Sequence, residues 1–266
     1  MAEWAEALEV RGVTVRFSGL VAVDGVSLSV PEGSIVSLIG PNGAGKTSLV
    51  NCVTGYYRAA SGDVFLFGQR VTGWAANRVA RAGVARTYQN IELFRGMSVI
   101  DNLMLGRHLR LKAGLLSGGL YSRRTRAEEL RERAEVEDLI DFLELAPVRK
   151  TPVGLLPYGL QKRVDLGRAL ALEPRVLVLD EPMAGMNLEE KEDIARFVLE
   201  TRAARGVTVL LIEHDMGVVM DLSDHVAVLD FGRLIAEGPP DVIRNDAKVI
   251  EAYIGERAMA RREAGT

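Results

Sequence analysis

The chain has 266 residues, enough to bury a substantial core in one large domain or two joined ones. Its 48% hydrophobic and 26% charged residues are proportions of a soluble globular protein, and a net charge of -3 excludes a global basic field for nucleic acid or anionic lipid. The single cysteine, Cys52, excludes an intramolecular disulfide and fits a reducing compartment.

The opening Met1-Ala-Glu-Trp-Ala-Glu lacks the basic and apolar regions of a secretory signal. No apolar run approaches the ~20 residues of a membrane-spanning helix, so any membrane role is expected to come through a partner. Leu8 to Val15 alternates weakly and Val26 to Val30 cleanly, which predicts strands. Pro31-Glu32-Gly33 is a turn, and Ser34 to Ile39 is an apolar run suited to a buried strand. A glycine-rich loop follows, then a helix over Lys46 to Tyr56, the turn Ser61-Gly62-Asp63 and a strand from Val64 to Phe67.

From Asn90 to Gly167 the pattern is mainly helical. Val136, Leu139, Ile140 and Leu143 mark a buried stripe, and the mixed charges of Arg123 to Arg133 read as a solvated face. Strands return at Val176 to Leu179 and Val207 to Ile212. Between them Ile194, Phe197, Val198 and Thr201 set a helix that Gly206 closes. His225 to Asp230 and Leu234 to Glu237 form a hairpin around Phe231-Gly232-Arg233, and a short helix near Val249 to Ile254 precedes a polar, mobile end. Strand–helix alternation interrupted by a helical block predicts an α/β core with a helical insertion.

Gly40-Pro41-Asn42-Gly43-Ala44-Gly45-Lys46-Thr47 matches the P-loop pattern G-x-x-x-x-G-K-[ST], between a strand and a helix as that motif requires. Glycines let backbone N–H groups converge on phosphate oxygens, and the helix start, including Ser48, adds positive potential. Lys46 is expected to neutralise β/γ-phosphate charge and the Thr47 hydroxyl to ligate Mg²⁺. Downstream, Val176-Leu-Val-Leu-Asp180-Glu181 is a buried strand ending in two carboxylates. Asp180 is placed to serve the metal and Glu181 to polarise an attacking water. ATP and Mg²⁺ are therefore the expected ligands.

Further motifs follow in a fixed order: Gln89 in Arg86-Thr-Tyr-Gln-Asn, then Leu156-Pro-Tyr158-Gly159-Leu-Gln161. After Asp180-Glu181 come Ala184-Gly-Met-Asn187 and His214 in Leu211-Ile-Glu-His-Asp215. In this order they resemble the nucleotide-binding subunits of ABC transporters over nearly the whole chain. The resemblance implies a P-loop (RecA-like) core with an N-terminal antiparallel β subdomain and an inserted helical subdomain. It divides a single ATPase domain over 1–256 into a core with β subdomain (1–89 and 168–238) and a helical subdomain (90–167), with 239–266 as C-terminal helix and tail.

By the same resemblance Gln89 is the Q-loop glutamine, which serves the metal and links it to the transmembrane partner. His214 is the switch histidine that holds γ-phosphate and attacking water. Phe17 matches the aromatic that stacks on adenine, and a core aromatic is the equal alternative. Tyr158 and Gly159 belong to the signature loop, which binds ATP held by the opposite subunit. That loop departs from L-S-G-G-Q by Pro157, Tyr158 and Leu160, so the ATP site it completes is expected to be weaker.

Several strings resemble the branched-chain amino-acid importer ATPases in particular: Arg86-Thr-Tyr-Gln-Asn, Leu93 to Leu103, the insertion around Lys112 to Gly118, and the tail Val249 to Gly255. That subgroup implies two transmembrane permease subunits, a second and different ATPase subunit, and indirectly a periplasmic substrate-binding protein, with no nucleic acid. The chain would sit peripherally on the cytoplasmic face of the inner (plasma) membrane. Leu93, Phe94 and Met97 are either a permease docking surface or packing inside the helical block. The competing functions are urea or amide import, lipopolysaccharide export, and a soluble ABC ATPase.

Overall fold

The computed structural model describes residues 5–107 and 123–254, without the side chains of 123–129. The readings at Lys112 to Gly118 and beyond Ile254 lie outside the described residues. In chain order the elements begin with β1 (Glu6–Phe17), β2 (Leu20–Pro31), β3 (Ile35–Ile39), α1 (Lys46–Val53), β4 (Ser61–Leu66), β5 (Gln69–Arg70), α2 (Ala76–Arg81) and β6 (Val84–Arg86). They continue with α3 (Val99–Arg107), α4 (Arg123–Phe142), α5 (Tyr158–Leu170), β7 (Val176–Asp180), α6 (Leu188–Arg205), β8 (Thr208–Ile212), α7 (Met216–Leu222), β9 (His225–Asp230), β10 (Arg233–Gly238) and α8 (Pro240–Arg244). A last helix covers 247–254.

The chain divides into two compact units. One is Met1–Val84 with Arg175–Glu181 and Val198–Thr266; the other is Ala85–Pro174 with Pro182–Phe197.

The first unit carries two sheets. The antiparallel one has the order β2-β1-β4-β5, and the other has the order β10-β9-β3-β8-β7-β6. Within the second sheet β9, β3, β8 and β7 run parallel, and β10 closes an antiparallel hairpin on β9. All five residues of β3, β7 and β8 are buried, which is why these strands read as unbroken apolar runs rather than alternating ones. Their side chains divide between two cores. Val36, Leu38, Ala227 and Leu229 face α1 and the antiparallel sheet, where Leu49, Val50 and Val53 meet Val10 and Val64. Ile39, Val226 and Val228 face Val219, Ile243 and Val249 on the opposite side.

The two N-terminal strands are each 12 residues long, well beyond their clean alternation. Register shifts between Val10 and Val13, around Gly12, move the side-chain phase by one residue and so hide a continuous strand from a period-2 reading. In the other direction, α1 stops at Val53 rather than Tyr56: Thr54 caps it and returns its hydroxyl to the carbonyl of Val50.

The second unit is helical. The expected stripe on α4 is confirmed, with Val136, Leu139, Ile140 and Leu143 all at most 1% exposed. Val99 and Leu103 of α3 and Val164 and Leu170 of α5 are buried too, and α3, α4 and α5 pack against one another. Arg107, 3% exposed at the end of α3, donates to the Ala171 carbonyl (3.1 Å), to Glu173 (2.5 Å) and to Glu132. Asn102 is fully buried. It accepts the Phe94 N–H and donates to the carbonyls of Phe94, Met97 and Ser98, so one amide shapes the whole loop ahead of α3. Phe94 itself is 57% exposed, with Leu93 and Met97 half-buried.

Candidate functional site

The site in the first unit is set by strand register. Ile212 pairs with Leu38 on one side and Asp180 on the other, so three neighbouring parallel strands end at one level. The chain leaving β3 is the glycine-rich loop, that leaving β7 begins with Glu181, and that leaving β8 is Glu213-His214. Ligands of parallel α/β sheets bind at this carboxyl edge, where chain segments diverge and polar groups need not pair within the sheet.

The loop is shaped by close backbone contact. Gly40 has φ +147, and a Cβ there would lie 2.0 Å from the carbonyl oxygen of Leu229, so no side chain fits. Gly45 caps α1 in the left-handed region (φ 100), where an L side chain is strained. Ala44 is buried and accepts the Gly232 N–H at 2.9 Å, which ties the loop to the tip of the β9–β10 hairpin. Lys46 is 7% exposed, and its ammonium donates to the carbonyls of Gly40 (2.6 Å) and Pro41 (3.0 Å) across the loop. Asn42, Gly43 and Thr47 are exposed, Pro41 is buried, and Ser48 is half-buried. The structure thus builds a loop with its cation held beneath it and its middle open to solvent.

Opposite, Glu181 adopts φ +49, a left-handed conformation that a non-glycine residue holds only where its surroundings impose it. Its N–H donates to the Ile212 carbonyl at 2.9 Å, which bends the chain back toward β8. The result is a 3.3 Å approach of Glu181 Oε2 to His214 Nε2, with Glu181 only 13% exposed. Two residues missed in the sequence prepare this pair. Glu213, 2% exposed, accepts the His214 N–H at 3.2 Å. Asp215 caps α7, accepting the N–H groups of Gly217 and Val218; an Asp directly before an apolar helical run is a legible signal for such a cap. Asp180 sits at the end of β7 and is 5% exposed. Phe17, at the end of β1, is 39% exposed and stands edge-on to Tyr57 at 4.9 Å, so it is not a core aromatic.

Mg²⁺ prefers hard oxygens, and one or two protein donors suffice when phosphates complete its shell. The exposed Thr47 hydroxyl and the Asp180 carboxylate have that chemistry. Among the described residues no cluster of three or more His, Cys, Asp or Glu could hold a metal by itself. The donor set therefore suits a metal bound together with a phosphate ligand.

The remaining motifs lie in the second unit. Gln89 is exposed. Pro157 is the N-cap of α5, with no side-chain hydrogen bond to the helix start. The helix begins at Tyr158, so the N–H groups of Tyr158 and Gly159 belong to its first turn, where backbone donors lack intrahelical partners. Tyr158 is 44% exposed and Gly159 is buried. A side chain at Gly159 would meet the Glu190 carboxylate 2.2 Å away. Glu190 is held there by a reciprocal cap. Its Oε2 accepts the Asn187 N–H at 3.0 Å, and Asn187 Oδ1 accepts the Glu190 N–H at 3.0 Å. The spacing Asn-x-x-Glu ahead of α6 carries that signal in the sequence.

Known proteins resemble this chain in sequence and fold. A family profile described as ABC transporter matches residues 23–184, and one described as Branched-chain amino acid ATP-binding cassette transporter matches 233–258. The high-affinity branched-chain amino acid transport ATP-binding protein BraF of Pseudomonas aeruginosa is 44% identical over 252 residues, covering 94% of this chain and 98% of BraF. LivG of Escherichia coli K12, described in the same words, is 43% identical over 252 residues, covering 94% and 98%. Among solved structures, the ADP conformation of MJ1267, an ATP-binding cassette of an ABC transporter, superposes with a TM-score of 0.82 at 33% identity, covering 94% of this chain and 99% of that one. With the P-loop and the carboxylate–histidine pair at one sheet edge and sequence identity running through almost its full length, this chain belongs to the ABC transporter family as one of its ATP-binding cassettes.

Proposed function

We propose that the chain hydrolyses ATP to energise an ABC importer of branched-chain or other hydrophobic amino acids. The approach of Glu181 to His214 at the strand edge that also bears the P-loop is the observation that carries the hydrolytic reading. The identity to BraF and LivG supports the choice of solute.

In this reading, backbone N–H groups of Gly40, Asn42, Gly43, Ala44, Gly45, Lys46, Thr47 and Ser48 wrap the phosphates, Pro41 fixes the backbone angle between them, and the Lys46 ammonium turns from the loop carbonyls to the β/γ-phosphate oxygens. Phe17 stacks on the base. Glu181 accepts a proton from the attacking water as the water oxygen bonds to the γ-phosphorus and the bond from that phosphorus to the β–γ bridging oxygen breaks, releasing ADP and phosphate; His214 orients that water and the γ-phosphate. Thr47 and Asp180 would hold Mg²⁺, with Gln89 serving it as the family resemblance implies, and the metal would supply neutralisation of phosphate charge. The first turn of α5, with Tyr158 and Gly159, approaches ATP held by a second, different ATPase subunit. Pro157 supplies no hydroxyl there, so the site it completes is the weaker of the two. Leu93, Phe94 and Met97 dock a permease subunit. A pair of permeases and a periplasmic binding protein complete the importer, with this chain peripheral on the cytoplasmic face of the inner (plasma) membrane. No helix among the described residues is long and apolar enough to cross a membrane, which supports a peripheral place.

The test is Glu181→Gln in the assembled transporter in leucine-loaded vesicles. Turnover should fall by about 10²–10⁴-fold, the range for loss of a general base, while ATP stays bound. Normal turnover would remove Glu181 as the base. ATP hydrolysis stimulated by another solute but not by leucine, isoleucine or valine would overturn the substrate assignment.

A further inference from the structure

Three charged side chains on one face of α5 hold the backbone of the Gln89 loop, all within the second unit. Lys162, Asp165 and Arg168 are spaced i, i+3, i+6, so they stack along the helix. The Lys162 ammonium donates to the Gln89 carbonyl at 3.0 Å. Asp165 accepts the Tyr88 N–H and, at 2.9 Å, a guanidinium N–H of Arg168. Arg168 also donates to the Glu92 carbonyl. Lys162 is 4% and Asp165 2% exposed, and Asp165 Oδ2 is buried with no hydrogen-bond partner.

Two nearly buried charges are an expensive way to join a helix to a loop, because each is removed from water and one carboxylate oxygen gains nothing in return. An apolar contact would hold the same helix more cheaply. What the charged pair adds is direction. Lys162 seizes a carbonyl and Asp165 the N–H one residue earlier, so both faces of the Tyr88–Gln89 backbone are specified while the Gln89 side chain stays exposed. The same helix begins with the signature residues Tyr158 and Gly159, and the Lys162 ammonium also lies 5.9 Å from the Tyr158 ring.

We propose that Lys162 and Asp165 are positioning residues for Gln89: they make the glutamine and the first turn of α5 one body, so that the side chain serving the metal and the loop serving the partner's ATP shift together. This rests on the reading of Gln89 as the metal-serving glutamine.

The experiment compares ATP affinity with Mg²⁺ and with EDTA, by calorimetry on the full chain, for the wild type, Gln89→Ala, Lys162→Arg and the double variant Lys162→Met/Asp165→Leu. The double variant replaces two buried charges with apolar side chains of similar size; Arg168, 19% exposed, loses Asp165 but keeps the Glu92 carbonyl and its access to water. Where the double variant does not fold, Lys162→Met, which removes the donor alone, carries the same expectation. The Mg²⁺ advantage, the ratio of the two dissociation constants, should fall about tenfold in the double variant, as for loss of a group that orients a metal ligand. Affinity in EDTA should be unchanged, and Lys162→Arg, which keeps the donor, should retain the advantage. Amide exchange at Tyr88 should accelerate in the double variant. A wild-type ratio in the double variant alongside a reduced one in Gln89→Ala overturns the clamp. A wild-type ratio in Gln89→Ala overturns the metal-serving reading of Gln89 and the proposal with it.

Discussion

Replacing Arg107 with Ala tests how the helical unit is held together. Its guanidinium is 3% exposed and joins the end of α3 to Glu132 of α4 and to Ala171 and Glu173 after α5. Burial alone would lower its pKa, yet its hydrogen bonds to Glu173 and Glu132 and their negative charge outweigh burial and leave it raised, so pairing exceeds desolvation for this cation. Removing one partner of a buried pair costs about 3–5 kcal/mol, because the other charge stays behind unpaired. Here the two carboxylates differ. Glu132 is 12% exposed and would be stranded, whereas Glu173 is 36% exposed and would return to water. The expected loss is therefore at the lower end, about 3 kcal/mol, with the Ala171 carbonyl adding to it. Urea denaturation should report that loss, and exchange should accelerate across α3, α4 and α5 before the first unit opens. Arg107→Met/Glu132→Met, which removes both buried charges, should regain most of it. A loss under about 1 kcal/mol, the scale of a surface pair, would refute this account.

Gly40→Ala should abolish ATP binding, measured by calorimetry, because its Cβ would strike the Leu229 carbonyl and push the loop off the sheet; retained affinity would show that the loop can move aside. The Cys52 thiol, 8% exposed on α1, is pushed up to about 11 by burial, so a disulfide reagent at pH 8 should modify it only as fast as the chain opens. Rapid labelling of the native protein would contradict that burial. Burial also holds the Asp165 carboxyl above the usual carboxylate range, against the opposing pull of Arg168, Lys162 and the Tyr88 N–H. The folded chain binds this proton more tightly than the unfolded one, so its contribution favours the fold below about pH 4 and is lost as pH rises through the raised folded value. The stability difference between wild type and Asp165→Asn should accordingly shift against the wild type as pH rises from about 4, and a flat difference would refute it.

The P-loop and the acidic strand end were legible because each is a local pattern: glycines at fixed offsets, a lysine and hydroxyl after them, and carboxylates closing an apolar run. The stripe on α4 was legible for the same reason, since burial on one helical face leaves a 3.6-residue period. The early strands were obscured where register shifts near Gly12 change the side-chain phase. The start of α5 carries no such local mark, because Pro157 supplies the fixed backbone angle of an N-cap without the hydroxyl or carboxylate by which caps are recognised.

By itself the sequence determined the kind of chemistry available: phosphate-binding backbone, one cation beneath it, two carboxylates and a histidine in a set order. Only the tertiary structure decided which of these meet. The pairing of Ile212 with both Leu38 and Asp180 brings together segments far apart in the chain, and the left-handed turn at Glu181 aims its carboxylate at His214. Likewise Lys162 and Asp165 read as ordinary helix charges until α5 presses them against the Gln89 loop. Register, backbone handedness and burial depend on contacts between distant segments, which no local pattern contains.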